Sequence, residues 1–225
     1  SRLDMPVMLG GTSNHISIAK LRELGEWDPF NVTEDADLGT RLAARGYRTL
    51  MLDSTTMEEA PNTMGAWFKQ RARWIKGYMQ TWIVHMRHPF RLMVDLKPHG
   101  FLGFQFFVTL SSFSYITAPI TWGISFLWAS GYLGSGLPQW LLALTAANLG
   151  FYILLHLFTS LHIACQYGRG RPKMMLAALT YPFYLIFHSL ASYLALWQLI
   201  TDPYGWNKTS HGKAKTFSDL QLTRA

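Results

Sequence analysis

The stretch from Gly100 to Gly168, GFLGFQFFVTLSSFSYITAPITWGISFLWASGYLGSGLPQWLLALTAANLGFYILLHLFTSLHIACQYG, contains no Lys, Arg, Asp or Glu. A helix crosses the hydrocarbon core of a bilayer in about 20 apolar residues, so this run is long enough for two spans. Its first apolar block is Phe101 to Trp128, with Pro119 inside it, and its second is Trp140 to Tyr167. Gly131 to Gln139 separates them with Gly, Ser and Pro and no charge. A third block, Met174 to Ile200, contains Pro182 and the polar residues His188, Ser189, Ser192 and Gln198.

The charges lie on either side of this run. Residues 1–99 hold 13 Lys/Arg and 11 Asp/Glu, residues 100–201 hold 3 and none, and residues 202–225 hold 4 and 2. Across all 225 residues 49% are hydrophobic and 15% charged, where soluble domains carry about 25% charged residues. Disorder is excluded, and an ordinary soluble enzyme fits this composition poorly. The net charge of +7 is not gathered on one folded face with aromatics between, as a nucleic-acid surface would require. It flanks the apolar blocks, at Lys69 to Lys97, Arg169 to Lys173 and Lys208 to Arg224. The expected partner is therefore a lipid bilayer and not nucleic acid.

Lys and Arg collect on the cytoplasmic side of membrane proteins. Placing both Lys69–Lys97 and Arg169–Lys173 there requires two spans between them, near 101–130 and 140–167. A third crossing would carry the basic tail outside. Pro182 and the polar face favour an interfacial or re-entrant helix over 174–200 instead. The single cysteine, Cys165, has no partner for an intrachain disulfide.

Ahead of the apolar run, residues 1–62 alternate in type. Val7 to Leu9 reads as a short strand and Gly10 to Asn14 as a turn. Ser17 caps a short helix, Ile18 to Leu24, with Gly25 in the position that favours a left-handed residue. Ala36 to Arg45 reads as a second helix ending at Gly46, and Tyr47 to Leu52 as a strand. This alternation predicts the C-terminal part of an α/β domain. Asn62 or Thr63 caps a longer helix from Met64 to about Met86. Its aromatics Trp67, Tyr78 and Trp82 mix with Lys69, Arg71, Arg73 and Lys76, which suits either a helix in the membrane interface or an amphipathic helix packed on the preceding domain. Residues 63–99 form this third segment and 202–225 a tail.

Two clusters carry chemistry. The first is Asn31-Val32-Thr33-Glu34-Asp35-Ala36-Asp37. A carboxylate here can take a proton from an attacking hydroxyl. Asp35 and Asp37 also have the look of a two-carboxylate site for Mg²⁺ or Mn²⁺, and acidic residues are favoured at a helix N-terminus in any case. The second cluster is Gln70-Arg71-Ala72-Arg73-Trp74, which on a helix puts Gln70, Arg73 and Trp74 on one face. Arg binds phosphate oxygens bidentately, and Trp offers a flat apolar face to a sugar ring.

Thr33-Glu34-Asp35 followed by Gln70-x-x-Arg73-Trp74, ahead of apolar spans, resembles the membrane-embedded family 2 glycosyltransferases, which include bacterial cellulose synthase and the hyaluronan and chitin synthases. Gly10 to Asn14 with Trp27-Asp28-Pro29 resembles the family's glycine-containing turn near the acceptor sugar, and Trp206 to Gly212 a tail motif of many bacterial members.

The resemblance implies that residues 1–62 are the C-terminal part of a GT-A-type nucleotide-sugar domain, and that the chain then enters an all-α membrane region with about two spans and interfacial helices. It implies that Asp35 is the general base for the acceptor hydroxyl, supported by Glu34 and Thr33. Gln70 and Arg73 would lie near the nucleotide diphosphate, Trp74 would border the acceptor end, and Gly11 and Thr12 would sit near the acceptor sugar. Lys208 and Thr209 would touch the nucleotide when the tail, a gating loop in cellulose synthase, closes.

The implied activity is inverting transfer of a sugar from a nucleotide donor, a UDP-sugar, to a growing β-linked polysaccharide coupled to export. The implied location is the bacterial inner membrane with the catalytic side cytoplasmic. Two other readings stand beside it: transfer of one sugar to a lipid carrier, and a non-catalytic scaffold or transporter subunit. The family's Mg²⁺ or Mn²⁺ ligands are expected upstream of Ser1 and none within the chain. The expectation is thus a segment of a longer protein, inactive in transfer by itself.

Overall fold

The computed structural model describes residues 8–52, 54, 56, 58–132, 138–167 and 171–206. Seven α-helices run in order among them: α1 (Ile18–Glu23), α2 (Glu34–Ala44), α3 (Met64–His85), α4 (Pro89–Phe104), α5 (Ser111–Ala129), α6 (Gln139–Tyr167) and α7 (Arg171–Thr201). A π-helical stretch, Gln105–Leu110, lies between α4 and α5.

The α/β expectation fails: among the described residues there is no strand. Met8 and Leu9 of the first expected strand are irregular, and so are Tyr47 to Leu52. An apolar run becomes a strand only when its N–H and C=O groups find a ladder on a neighbouring backbone. Among the described residues no strand ladder forms along Tyr47 to Leu52, and Leu50, Met51 and Leu52 are exposed.

The helix signals were sounder. Gly25 (φ +82°) and Gly46 (φ +76°) sit just past α1 and α2 in the left-handed region, where a Cβ is costly. The Thr63 hydroxyl accepts the Ala66 N–H at 3.2 Å and starts α3. Helix α2 begins at Glu34, two residues before the expected Ala36, because Glu34, Asp35 and Asp37 all fall in its first turn. There they complement the partial positive charge of the helix end.

The chain divides into two units. The first comprises residues 1–112 and 191–225, the second 113–190. In the first, α3 buries Trp67, Gln70, Ala72, Ile75, Lys76, Gly77, Met79, Gln80 and Thr81. Leu92, Leu96, Phe104 and Val108 form one apolar cluster, packed by Tyr78, Trp82 and Met86 of the α3 end. Leu9, Leu38 and Leu42 form another with Ile16, Leu21, Leu24 and Tyr47. Each such side chain, fully buried, contributes about 1.5–3 kcal/mol.

Helix α4 is broken at Lys97, whose backbone (φ 60°, ψ 163°) leaves the helical region. Pro98 follows, and its ring disfavours a helical residue before it. The π-helical stretch is tied to α3 by Gln105. The Gln105 Oε1 accepts Trp82 Nε1–H at 3.1 Å and Thr109 Oγ1–H at 2.6 Å.

In the second unit the rings of Tyr115 and His188 stack at 4.9 Å, and the Tyr184 ring meets His188 edge-on at 4.7 Å. Among the described residues one helical window, Tyr184–Thr201 with mean hydropathy 1.2, is long and apolar enough to cross a membrane. Pro89–Leu110 and Ser112–Ala129 pass the same test only if the bent pair is taken as one span.

Candidate functional site

The Thr33-Glu34-Asp35 turn is held from both sides. Asn31 is buried and folds its side chain back along the chain, its Oδ1 accepting the Thr33 N–H at 3.0 Å and the Thr33 hydroxyl at 3.3 Å. Its Nδ2 donates to Thr81 Oγ1 on α3 at 2.9 Å. The Val32 N–H donates to Gln80 Oε1, also on α3, at 3.3 Å. Two α3 side chains thus fix the approach to the motif.

The closest approach is at Gly77. A Cβ built there would overlap Oγ1 and Cγ2 of Thr33 and lie 2.7 Å from its Cβ. Only glycine lets α3 come this near the start of α2.

That approach gathers the predicted residues. Glu34 and Asp35 are half-buried and share the field of Arg73. Burial pushes the Asp35 carboxyl above the usual aspartate range. The Ala36 N–H, which donates to Asp35 Oδ1 at 2.8 Å, and the Arg73 guanidinium pull it only partly back. Burial raises Glu34 too, and the charge of Asp35 adds to the rise. The Tyr78 phenol is pushed up by burial and then by Asp35, which places its ring in the same field. Gly11 lies alongside: a Cβ there would sit 3.5 Å from Asp35 Oδ2.

Arg73 is itself partly buried, its Nε has no hydrogen-bond partner among the described residues, and its guanidinium lies 5.2 Å from the centre of the Trp206 ring. Gln70 is buried one turn earlier. Trp74 is half-buried beneath the Arg71 guanidinium at 4.5 Å. Such a site pairs a carboxylate of raised proton affinity with a cation whose donors are not all used.

Other expected residues are not brought in. Thr12 donates to Glu58 on the exposed side. Lys208 and Thr209 lie outside the described residues.

Asp37 faces away from Asp35. His85 Nε2 is 2.8 Å from its Oδ1 and Arg41 Nε is 2.7 Å from its Oδ2. Burial would raise this carboxyl, but His85 and Arg41 outweigh it and hold it below the usual aspartate range. With Asp37 committed to His85 and Arg41, and Asp35 and Glu34 already in the field of the Arg73 cation, these carboxylates do not fit a divalent ion.

A depressed carboxyl stabilises the fold fully above the unfolded value and loses that contribution as pH falls through the folded value. Asp37→Asn should therefore lower stability at neutral pH by on the order of 1–3 kcal/mol. It should also flatten the acid dependence of the unfolding midpoint, read by thermal melts between neutral pH and the acid range.

The sequence reading named Lys76, Tyr78 and Trp206 without placing them at this site, and it did not single out Gly77 or Gln80 on α3 or the contact of His85 with Asp37. A signal existed for part of this. Lys76, Gly77 and Gln80 follow Arg73 at three, four and seven residues, the spacing of one helix face.

The family model Glycosyl transferase family group 2 matches residues 1–200. The chain belongs to this family. A curated relative, Probable glycosyltransferase YdaM of Bacillus subtilis (strain 168), is 30% identical over 103 residues, which cover 43% of this chain and 24% of that protein. The match thus spans about a quarter of the relative's length. No solved structure matches. Within this family 2 glycosyltransferase chain, Asp35 and Arg73 act on one another electrostatically across the α2–α3 approach.

Proposed function

We propose that this part of the protein activates the acceptor in an inverting glycosyltransferase, which moves a sugar from a UDP-sugar to the growing end of a β-linked polysaccharide at a membrane surface. Asp35 takes the proton of the acceptor hydroxyl. The acceptor oxygen attacks the anomeric carbon from the face opposite the diphosphate. The bond from that carbon to the diphosphate oxygen breaks, and the nucleotide leaves with the electron pair. A single displacement inverts the anomeric centre and needs no covalent enzyme intermediate.

The observation that carries this reading is the Asp35 carboxyl, half-buried beside Gly11, raised by desolvation and lying in the field of Arg73. A base works best when its pKa approaches the working pH, and burial moves Asp35 in that direction. The Arg73 Nε, which has no hydrogen-bond partner among the described residues, supports a role for Arg73 beside the leaving diphosphate, where guanidinium–phosphate bonding is strong. Gln70 and Trp74 on the same helix face line the donor and the acceptor end. The uncharged run from Gly100 to Gly168 and the apolar helix Tyr184–Thr201 support membrane attachment, and the basic flanks Lys69–Lys97 and Arg169–Lys173 favour the cytoplasmic side for the site.

The same attachment suits a lipid-linked acceptor, the second reading. Incubating the full-length protein in membranes with radiolabelled UDP-glucose, UDP-galactose or UDP-N-acetylglucosamine separates the two. Label in a high-mass, glycosidase-sensitive product supports the polysaccharide reading, and label in a lipid bearing one sugar supports the second. Absence of transfer from every nucleotide sugar contradicts both.

A further inference from the structure

The turn that follows α7, Asp202 to Trp206, is anchored on the same α3 face that carries Arg73. Lys76 is 1% exposed, yet it is a lysine. Its ammonium donates to two backbone carbonyls of the turn, Asp202 O at 3.0 Å and Gly205 O at 2.8 Å. A buried ammonium is tolerated only when its donors are satisfied, and here the turn supplies the acceptors.

One helical turn on, Gln80 works in two directions. Its Nε2 donates to Pro203 O at 2.8 Å, while its Oε1 accepts the Val32 N–H just ahead of Thr33-Glu34-Asp35. The Tyr204 ring meets Phe30 edge-on at 5.5 Å. Gly205 closes the turn so tightly that a Cβ on it would overlap the Asp202 carboxylate. At the end of this turn stands Trp206, its ring over the Arg73 guanidinium.

We infer that Lys76 is a positioning residue for the transfer reaction: by holding the carbonyls of Asp202 and Gly205 on α3, it seats Trp206 against Arg73 and so fixes the direction in which Arg73 presents its remaining donors. The inference rests on the proposed function for the role of Arg73, and on geometry alone for the anchoring. A guanidinium packed on an indole face keeps its edge free for hydrogen bonding and loses side-chain freedom. Gln80 couples the same turn to the motif that holds Asp35, so donor-side and base-side geometry share one support.

The anchoring is tested without substrate. Hydrogen exchange over residues 202–206 in the full-length protein should be faster in Lys76→Met and restored in Lys76→Arg, which keeps the charge and the donors. Unchanged protection in Lys76→Met would overturn the anchoring.

The kinetic role is tested with Trp206→Ala, a change at a residue 48% exposed that leaves the Lys76 contacts in place. With a radiolabelled UDP-sugar, kcat/KM should fall about tenfold or more, the scale of a displaced catalytic group. Lys76→Met should cost as much, Lys76→Arg should recover most of it, and Lys76→Met with Trp206→Ala should cost little more than either alone, as coupled residues do. Wild-type kcat and KM in Trp206→Ala, or fully additive losses, would overturn the inference. Asp35→Asn in the same preparation tells the two failures apart. If it abolishes transfer while Trp206→Ala does not affect it, only the positioning role of Lys76 fails; if it keeps transfer, the underlying reading fails.

Discussion

Asp35→Asn in the full-length protein is expected to lower sugar transfer by on the order of 10²–10⁴, the usual contribution of a positioned general base. The substitution keeps the size of the side chain and the bond that Oδ1 accepts from the Ala36 N–H, so α2 should stay in place. What it removes is the capacity to take a proton. It also removes a buried charge whose desolvation is unfavourable, so stability at neutral pH should hold or rise slightly. Loss of activity with an undiminished unfolding midpoint is the expected pair of results. Glu34→Gln should cost less, because Glu34 shares the field of Arg73 without standing beside Gly11. Radiolabel transfer and a thermal melt on the same preparations measure both quantities.

Gly77→Ala is expected to damage both fold and activity, although it adds a single methyl group. The added Cβ would occupy the space of the Thr33 side chain, and α3 would have to move away from the start of α2. Overpacking of this kind costs about 1–3 kcal/mol. The shift reaches Glu34 and Asp35 directly, since Thr33 is the residue before them. A displacement near 1 Å can cost on the order of 10² in rate. Gly65→Ala, in the first turn of the same helix, is the control. A Cβ there meets nothing within 4 Å, so the change should be neutral or stabilise by up to about 1 kcal/mol through helix propensity. Equal melting behaviour of the two variants would contradict the close approach of α3 to Thr33.

The parts of this fold that were legible from sequence are those fixed by local chemistry. Gly25 and Gly46 mark helix ends because only a left-handed residue closes them cheaply, and Thr63 marks a start because its hydroxyl caps the first turn. The strands were misread for the opposite reason. Tyr47 to Leu52 has strand-like composition, but pairing is decided by a neighbour that the segment itself does not encode.

In the site, Asp35 and Arg73 could be picked out because Thr33-Glu34-Asp35 and Gln70-x-x-Arg73-Trp74 resemble motifs of the family, not because either cluster is distinctive alone. The Lys76 and Gln80 contacts could not, because they end on backbone carbonyls of Asp202, Pro203 and Gly205, up to 129 positions away. A carbonyl carries no side-chain identity, so nothing in the residue pattern announces its partner. The pairing of His85 with Asp37 was hidden in a similar way, by 48 positions of chain.

The most direct test of the account is the pH dependence of kcat/KM for transfer from a UDP-sugar, in wild type and in Asp35→Asn. In the wild type the rate should fall with unit slope on the acid side, through an apparent pKa above the ordinary aspartate range, because protonated Asp35 cannot accept the acceptor proton. In Asp35→Asn the residual rate should lack that limb. A variant that keeps both the wild-type rate and its acid limb would show that another group takes the proton, and would contradict the central claim.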